Sequence, residues 1–217
     1  MNSTLGHVDR ASVVTLEQAA LELVEVGRYL GQQGLVPATS GNFSRRLNPH
    51  AVAVTATGLD KGFLSVEHIL ESPLDGPKPP RSSFETELHR ELYRRNPDIQ
   101  SVLHVHSVAS TLLSQRYAAA GELRIVGYEL QKALFGILDQ HVEAVLPIVE
   151  NDQDIDRLAQ TVTRRLADTQ GTVVGYLVEG HGLYTWGRSV EDARRHVIGV
   201  EFLLNCELEK LRWGRPS

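Results

Sequence analysis

Two hydrophobic periods alternate along this 217-residue chain, and that alternation restricts its fold more than any other feature. Residues 101 to 106, SVLHVH, are short, β-branched and followed by a run of small residues at helical spacing, which predicts a strand leading into a helix. The change of period recurs at 145 to 149. Beyond it Ile155, Leu158, Val162 and Leu166 share one face of a helix predicted from Asp152. Thr15 and Gln18 form a capping box for a first helix over 16 to 31. Two short strands, 42 to 47 and 51 to 56, flank an Asn48-Pro49 turn. A helix from about Phe84 to Arg95 follows Ser83 and is closed by Asn96-Pro97, since proline cannot continue it. The chain ends with a strand over 172 to 178, a turn at 179 to 182, a strand over 183 to 186 and a long helix capped by Ser189 and Asp192. With no repeat or linker, this pattern predicts one α/β domain over residues 1 to 217, with 1 to 14 as a flexible N-terminal extension.

Composition removes whole classes of function. A chain that is 41% hydrophobic and 23% charged has the makings of a core, which argues against disorder. Lys and Arg number 22 against 27 Asp and Glu, a net charge of -5, so there is no basic footprint for a nucleic acid and an anionic ligand must be met by local groups. Cys206 is the only cysteine, which rules out an intramolecular disulfide and a thiolate zinc cage. No run approaches the length that spans a bilayer, and no basic-then-apolar leader opens the sequence, so a cytoplasmic protein without membrane contact is expected.

Several short motifs could carry chemistry. His104 and His106, two apart on a strand, point to one face and could present two imidazoles to one metal; they could equally be hydrogen-bonded within the strand. His181 lies in Glu179-Gly180-His181-Gly182, a tight turn that could supply a third ligand or stand in solvent. Three histidines with an open fourth position is an arrangement catalytic zinc uses. Ser40, Gly41 and Asn42, together with Thr57 and Gly58, could offer backbone N–H groups to an anion or form ordinary turns, and Lys61 would add a charge. Ser83 suits either a helix cap or an anion site. Glu85 and His89 lie one helical turn apart and share a face, and position alone assigns them no role.

The segments ATSGNFS, VTATG, SSFETELH, LHVHS and EGHGLYTWG, in this order from about Leu16 to Leu208, resemble the class II aldolase/adducin superfamily. GYELQKALFG followed by VLPIVEND looks like its methylthioribulose-1-phosphate dehydratase branch. The resemblance implies a three-layer α/β/α sandwich around a mostly antiparallel sheet, assembled as a homotetramer with active sites between subunits. It also implies one zinc held by His104, His106 and His181, with Glu85 beside it. Ser40, Gly41, Asn42, Thr57, Gly58 and Ser83 fall in the phosphate-binding segments, although Phe84 here separates Ser83 from Glu85. Glu129 matches the acid/base residue of the dehydratase branch, Glu85 is the competing base, and Lys132 matches a basic residue near the same site. The implied activity is dehydration of 5-methylthioribulose 1-phosphate. An aldolase or epimerase acting on another ketose phosphate, and a non-catalytic adducin-like interaction domain, are the alternatives.

Overall fold

The computed structural model describes residues 14–214; the expected N-terminal extension lies, apart from its last residue, outside them. Five α-helices and nine strands occur among the described residues. In chain order they are α1 (Leu16–Gln32), β1 (Asn42–Asn48), β2 (Ala51–Thr55), β3 (Ile69–Pro73), α2 (Thr86–Arg95), β4 (Ser101–Val105), α3 (Val108–Arg116), β5 (Glu122–Ile125), β6 (Ala144–Val149), α4 (Ile155–Asp168), β7 (Thr172–Val173), β8 (Tyr176–Val178), β9 (Gly182–Gly187) and α5 (Val190–Trp213).

The sheet runs β3-β2-β1-β4-β9-β8-β6-β5, with β7 beside β6. Only the β6–β7 and β6–β8 pairs are parallel, so the sheet is mostly antiparallel as expected. Strand alternation divides the core in two. Leu103 and Val105 of β4 pack with the apolar stripes of α1, α3 and α5, while Val102 packs with those of α2 and α4. His104 shares the second face with Val102, which turns it toward α2.

Several boundaries differ from the periodic reading. Helix α2 starts at Thr86 with Glu85 in the N-cap position, and Ser83 does not cap it; Ser83 donates its backbone N–H to Thr55 O at 3.1 Å, tying this segment to β2. The predicted strand over 172 to 178 breaks into β7 and β8: β6 pairs Val145 with Val173 but Ile148 with Leu177, so the register slips by one residue and Gly175 falls in the break. Helix α4 begins at Ile155 rather than Asp152, since Asp154 accepts from the Arg157 N–H and caps it. Strands β3 and β5, absent from the sequence reading, sit at the two ends of the strand order. The caps at Thr15 and Ser189 form as expected. No helix among the described residues is long and apolar enough to cross a membrane.

Candidate active site

His104 is the penultimate residue of β4, and His181 occupies the turn joining β8 to β9. Register brings them together: Val105 pairs with Leu183, and Val178 with Gly182. The turn is closed by the His181 N–H donating to Val178 O at 3.0 Å and held by the Gly180 N–H on Ser114 Oγ at 3.0 Å. Only glycine fits at 182, where a Cβ would stand 2.3 Å from Val105 O and 3.1 Å from His104 Cε1.

The three imidazoles converge. His104 Nε2 lies 2.9 Å from His106 Nε2 and 3.3 Å from His181 Nε2. His104 Nδ1 is 3.0 Å from Leu183 O, so this nitrogen donates and Nε2 bears a lone pair when the ring is neutral. Burial, reinforced by His106 and His181, pushes the His104 pKa well below the ordinary imidazole value. Burial, then His181 and Lys61, lowers that of His106 to about 4. Glu85 completes the ring, with Oε1 3.2 Å from His181 Nε2 and Oε2 3.5 Å from His104 Nε2. Lone pairs and a carboxylate aimed at one point repel each other unless a cation lies between them, and the ligand atoms of the three histidines all fall within 4.8 Å of one another. The donor set therefore fits a metal ion.

Beside this cluster an open cavity of about 240 Å³ is lined by Ser40, Gly41, Asn42, Thr57, Gly58, Lys61, Ser83, Glu85, His106 and His181. The structure thus gathers His106, His181 and Glu85 with the phosphate candidates around one cavity. Gly41 has φ +75, and a Cβ there would meet His104 O at 2.8 Å, so the loop passes closer to β4 than any side chain allows. Ser40 Oγ is buried without a hydrogen-bond partner, a polar atom suited to an incoming anion. Lys61 is 1% exposed; its Nζ donates to Thr39 O at 3.0 Å and to Leu59 O at 2.5 Å, bridging the two loops, and burial lowers its pKa.

Glu129 and Lys132 are not brought to this cavity. They lie in a short 3-10 helix over Glu129–Ala133, where Lys132 Nζ donates to Glu129 Oε1 at 2.6 Å and the Glu129 side chain is 75% exposed. This segment follows β5, whose Ile125 pairs with the first residue of β6, whereas His181 follows β8, whose Val178 pairs with the last.

Sequence reasoning also missed a column of rings behind the site. His104 stacks on Tyr184 at 3.9 Å, and Tyr184 on Tyr176 at 4.7 Å. The register His104↔Tyr184↔Tyr176 produces it, and pairing of strands β4, β9 and β8 is the signal that could have found it.

The sequence matches the Class II Aldolase and Adducin N-terminal domain over residues 21–208, and the chain belongs to that family. Among curated relatives, a methylthioribulose-1-phosphate dehydratase of Xanthomonas campestris pv. campestris is 46% identical over 219 residues, covering 100% of both chains. One of Parvibaculum lavamentivorans is 44% identical over 193 residues, covering 89% of this chain and 94% of its own. Among solved structures, an L-fuculose-1-phosphate aldolase from Thermus thermophilus superposes with a TM-score of 0.74 at 27% identity, covering 92% of this chain and 98% of its own.

Proposed function

We propose that this chain is a zinc-dependent hydro-lyase that converts 5-methylthioribulose 1-phosphate to 2,3-diketo-5-methylthiopentyl 1-phosphate and water in methionine salvage. The observation that carries the reading is the convergence of His104, His106, His181 and Glu85 beside a cavity that the phosphate candidates also line. Relatives named for this activity, 44% and 46% identical over nearly the whole chain, support it. The reading includes one zinc per subunit, a single domain, a homotetramer with shared sites and a cytoplasmic location.

His104, His106 and His181 would hold the zinc, which when bound supplies a Lewis acid that makes a proton beside a ketone easier to remove. Ser40, Gly41, Asn42, Thr57, Gly58 and Ser83 hold the phosphate through hydroxyl and backbone N–H groups, and Lys61 contributes charge. One proton leaves C3 and hydroxide leaves C4, together making the water released; the resulting C3 enol then becomes a ketone by taking up a proton at C4 and giving up its hydroxyl proton. Glu129 moves these protons from a neighbouring copy, which accounts for an exposed carboxylate standing outside its own cavity, with Lys132 orienting it. Glu85, held by the Asn42 amide at 2.7 Å, is the competing base.

The deciding experiment is turnover of 5-methylthioribulose 1-phosphate by zinc-loaded protein, beside fuculose 1-phosphate and ribulose 5-phosphate. Dehydration of the first alone is expected. Cleavage or epimerisation of the others moves the chain to another branch of the family.

A further inference from the structure

Glu85, His89 and Tyr93 are spaced four apart and form one stripe on α2 and its N-cap; Asn42 and Ser44 are two apart and share one face of β1. The rows interlock like a zipper. Asn42 Nδ2 donates to Glu85 Oε2 at 2.7 Å, Asn42 Oδ1 meets His89 Nε2, His89 Nδ1 lies 2.7 Å from Ser44 Oγ, and Ser44 Oγ lies 2.8 Å from Tyr93 OH. His89 and Ser44 are fully buried, and Tyr93 and Asn42 nearly so.

Every proton in this row can be placed. A carboxylate only accepts, so Asn42 turns Nδ2 toward Glu85 and Oδ1 toward His89, and His89 Nε2 must carry the hydrogen. Burial keeps His89 neutral, with its pKa pushed down to about 3, so Nδ1 accepts from the Ser44 hydroxyl. The Ser44 oxygen accepts in turn from Tyr93, a phenol whose pKa burial raises. All the donors point the same way, toward Glu85.

We propose that His89 is a positioning residue: locked as its Nε2–H tautomer by Ser44 and Tyr93, it fixes the Asn42 amide and thereby aims the Glu85 carboxylate at the histidine cluster. This rests on the reading of Glu85 and the three histidines as the active site, and adds how the carboxylate is oriented. A buried polar row that served only to dock α2 on β1 would tolerate any replacement that kept the fold.

Two substitutions separate these roles. Glutamine can reach the Nε2 position and keep the donor to Asn42, whereas asparagine reaches only the Nδ1 position and loses it. In the zinc-loaded enzyme, His89→Asn is expected to lower kcat on 5-methylthioribulose 1-phosphate by roughly 10- to 100-fold, with KM changed less than about 3-fold and His89→Gln close to wild type. Independently of turnover, 15N spectra of the imidazoles in the wild-type holoenzyme should show His89 as an Nε2–H tautomer, and Ser44→Ala should admit the other tautomer. Equal losses in both His89 variants, a folded His89→Asn with wild-type kcat, or an Nδ1–H tautomer in the wild type would overturn the proposal. If His89 variants do not fold, the wild-type and Ser44→Ala spectra decide it. A wild-type enzyme inactive on this substrate would refute the substrate reading while leaving the tautomer measurement to judge the relay.

Discussion

His104 Nδ1 donates to the carbonyl of Leu183 across 3.0 Å, and this one bond points the opposite nitrogen at His106 and His181. A ring held by its neighbour strand would stand as a ligand in place before any metal arrives. Replacing His106 or His181 by alanine is expected to leave purified protein without bound zinc, as measured by elemental analysis, and to abolish turnover. Retention of zinc by either variant would remove that residue from the ligand set.

The turn that carries His181 depends on a backbone approach no side chain can share. Gly182→Ala would place a methyl group 2.3 Å from Val105 O, so the strands must part. A destabilisation of about 3 kcal/mol is expected in urea unfolding, with weakened zinc retention because β4 and the turn separate. An unchanged unfolding midpoint would show that the turn shifts freely.

Glu129 is exposed and does not line its own chain's cavity, so a variant defective there and a variant defective in the histidine cluster should complement each other. Glu129→Gln alone is expected to lower kcat by roughly 10²- to 10⁴-fold. Mixed assemblies of Glu129→Gln with His106→Ala chains should recover activity that neither has alone. No recovery on mixing would place each site within one chain.

Glu201, 3% exposed on α5, gives the fold a pH dependence. Burial raises its pKa from the usual 4.5 to about 7, and the nearby Ser107 hydroxyl offsets only part of that. A raised carboxyl pKa means that the neutral acid is the form favoured by folding. Its contribution is therefore complete below about pH 4.5 and is lost as pH rises through about 7. Glu201→Gln, which stays neutral, should gain roughly 3 kcal/mol relative to wild type between pH 4.5 and 8, read as diverging thermal midpoints. Parallel curves would rule out a buried titrating group at 201.

What was legible in the sequence is what short range encodes. His104 and His106 announce a shared face by spacing, and Gly180 and Gly182 announce a turn around His181. The Glu85–His89 spacing disclosed half of the zipper, but Asn42 and Ser44 lie more than forty residues away on a strand, and only the packing of α2 against β1 pairs the two rows. Strand β3 ends on Pro73 and β5 has four residues, too little periodicity to read, and both owe their conformation to a neighbouring strand. The gap between β7 and β8 was hidden because the segment is β-branched and apolar on both sides of Gly175; what splits it is a one-residue slip against β6, which lies far off in sequence.

Lys61 joins two loops that meet the same cavity, and its ammonium group gives two of its three N–H donors to Thr39 and Leu59 carbonyls. Those loops are thus stitched together by the protein's own side chain. An anion bound there would not have to gather them, so much of the entropy of ordering would be settled in advance. The third donor would remain for such a guest.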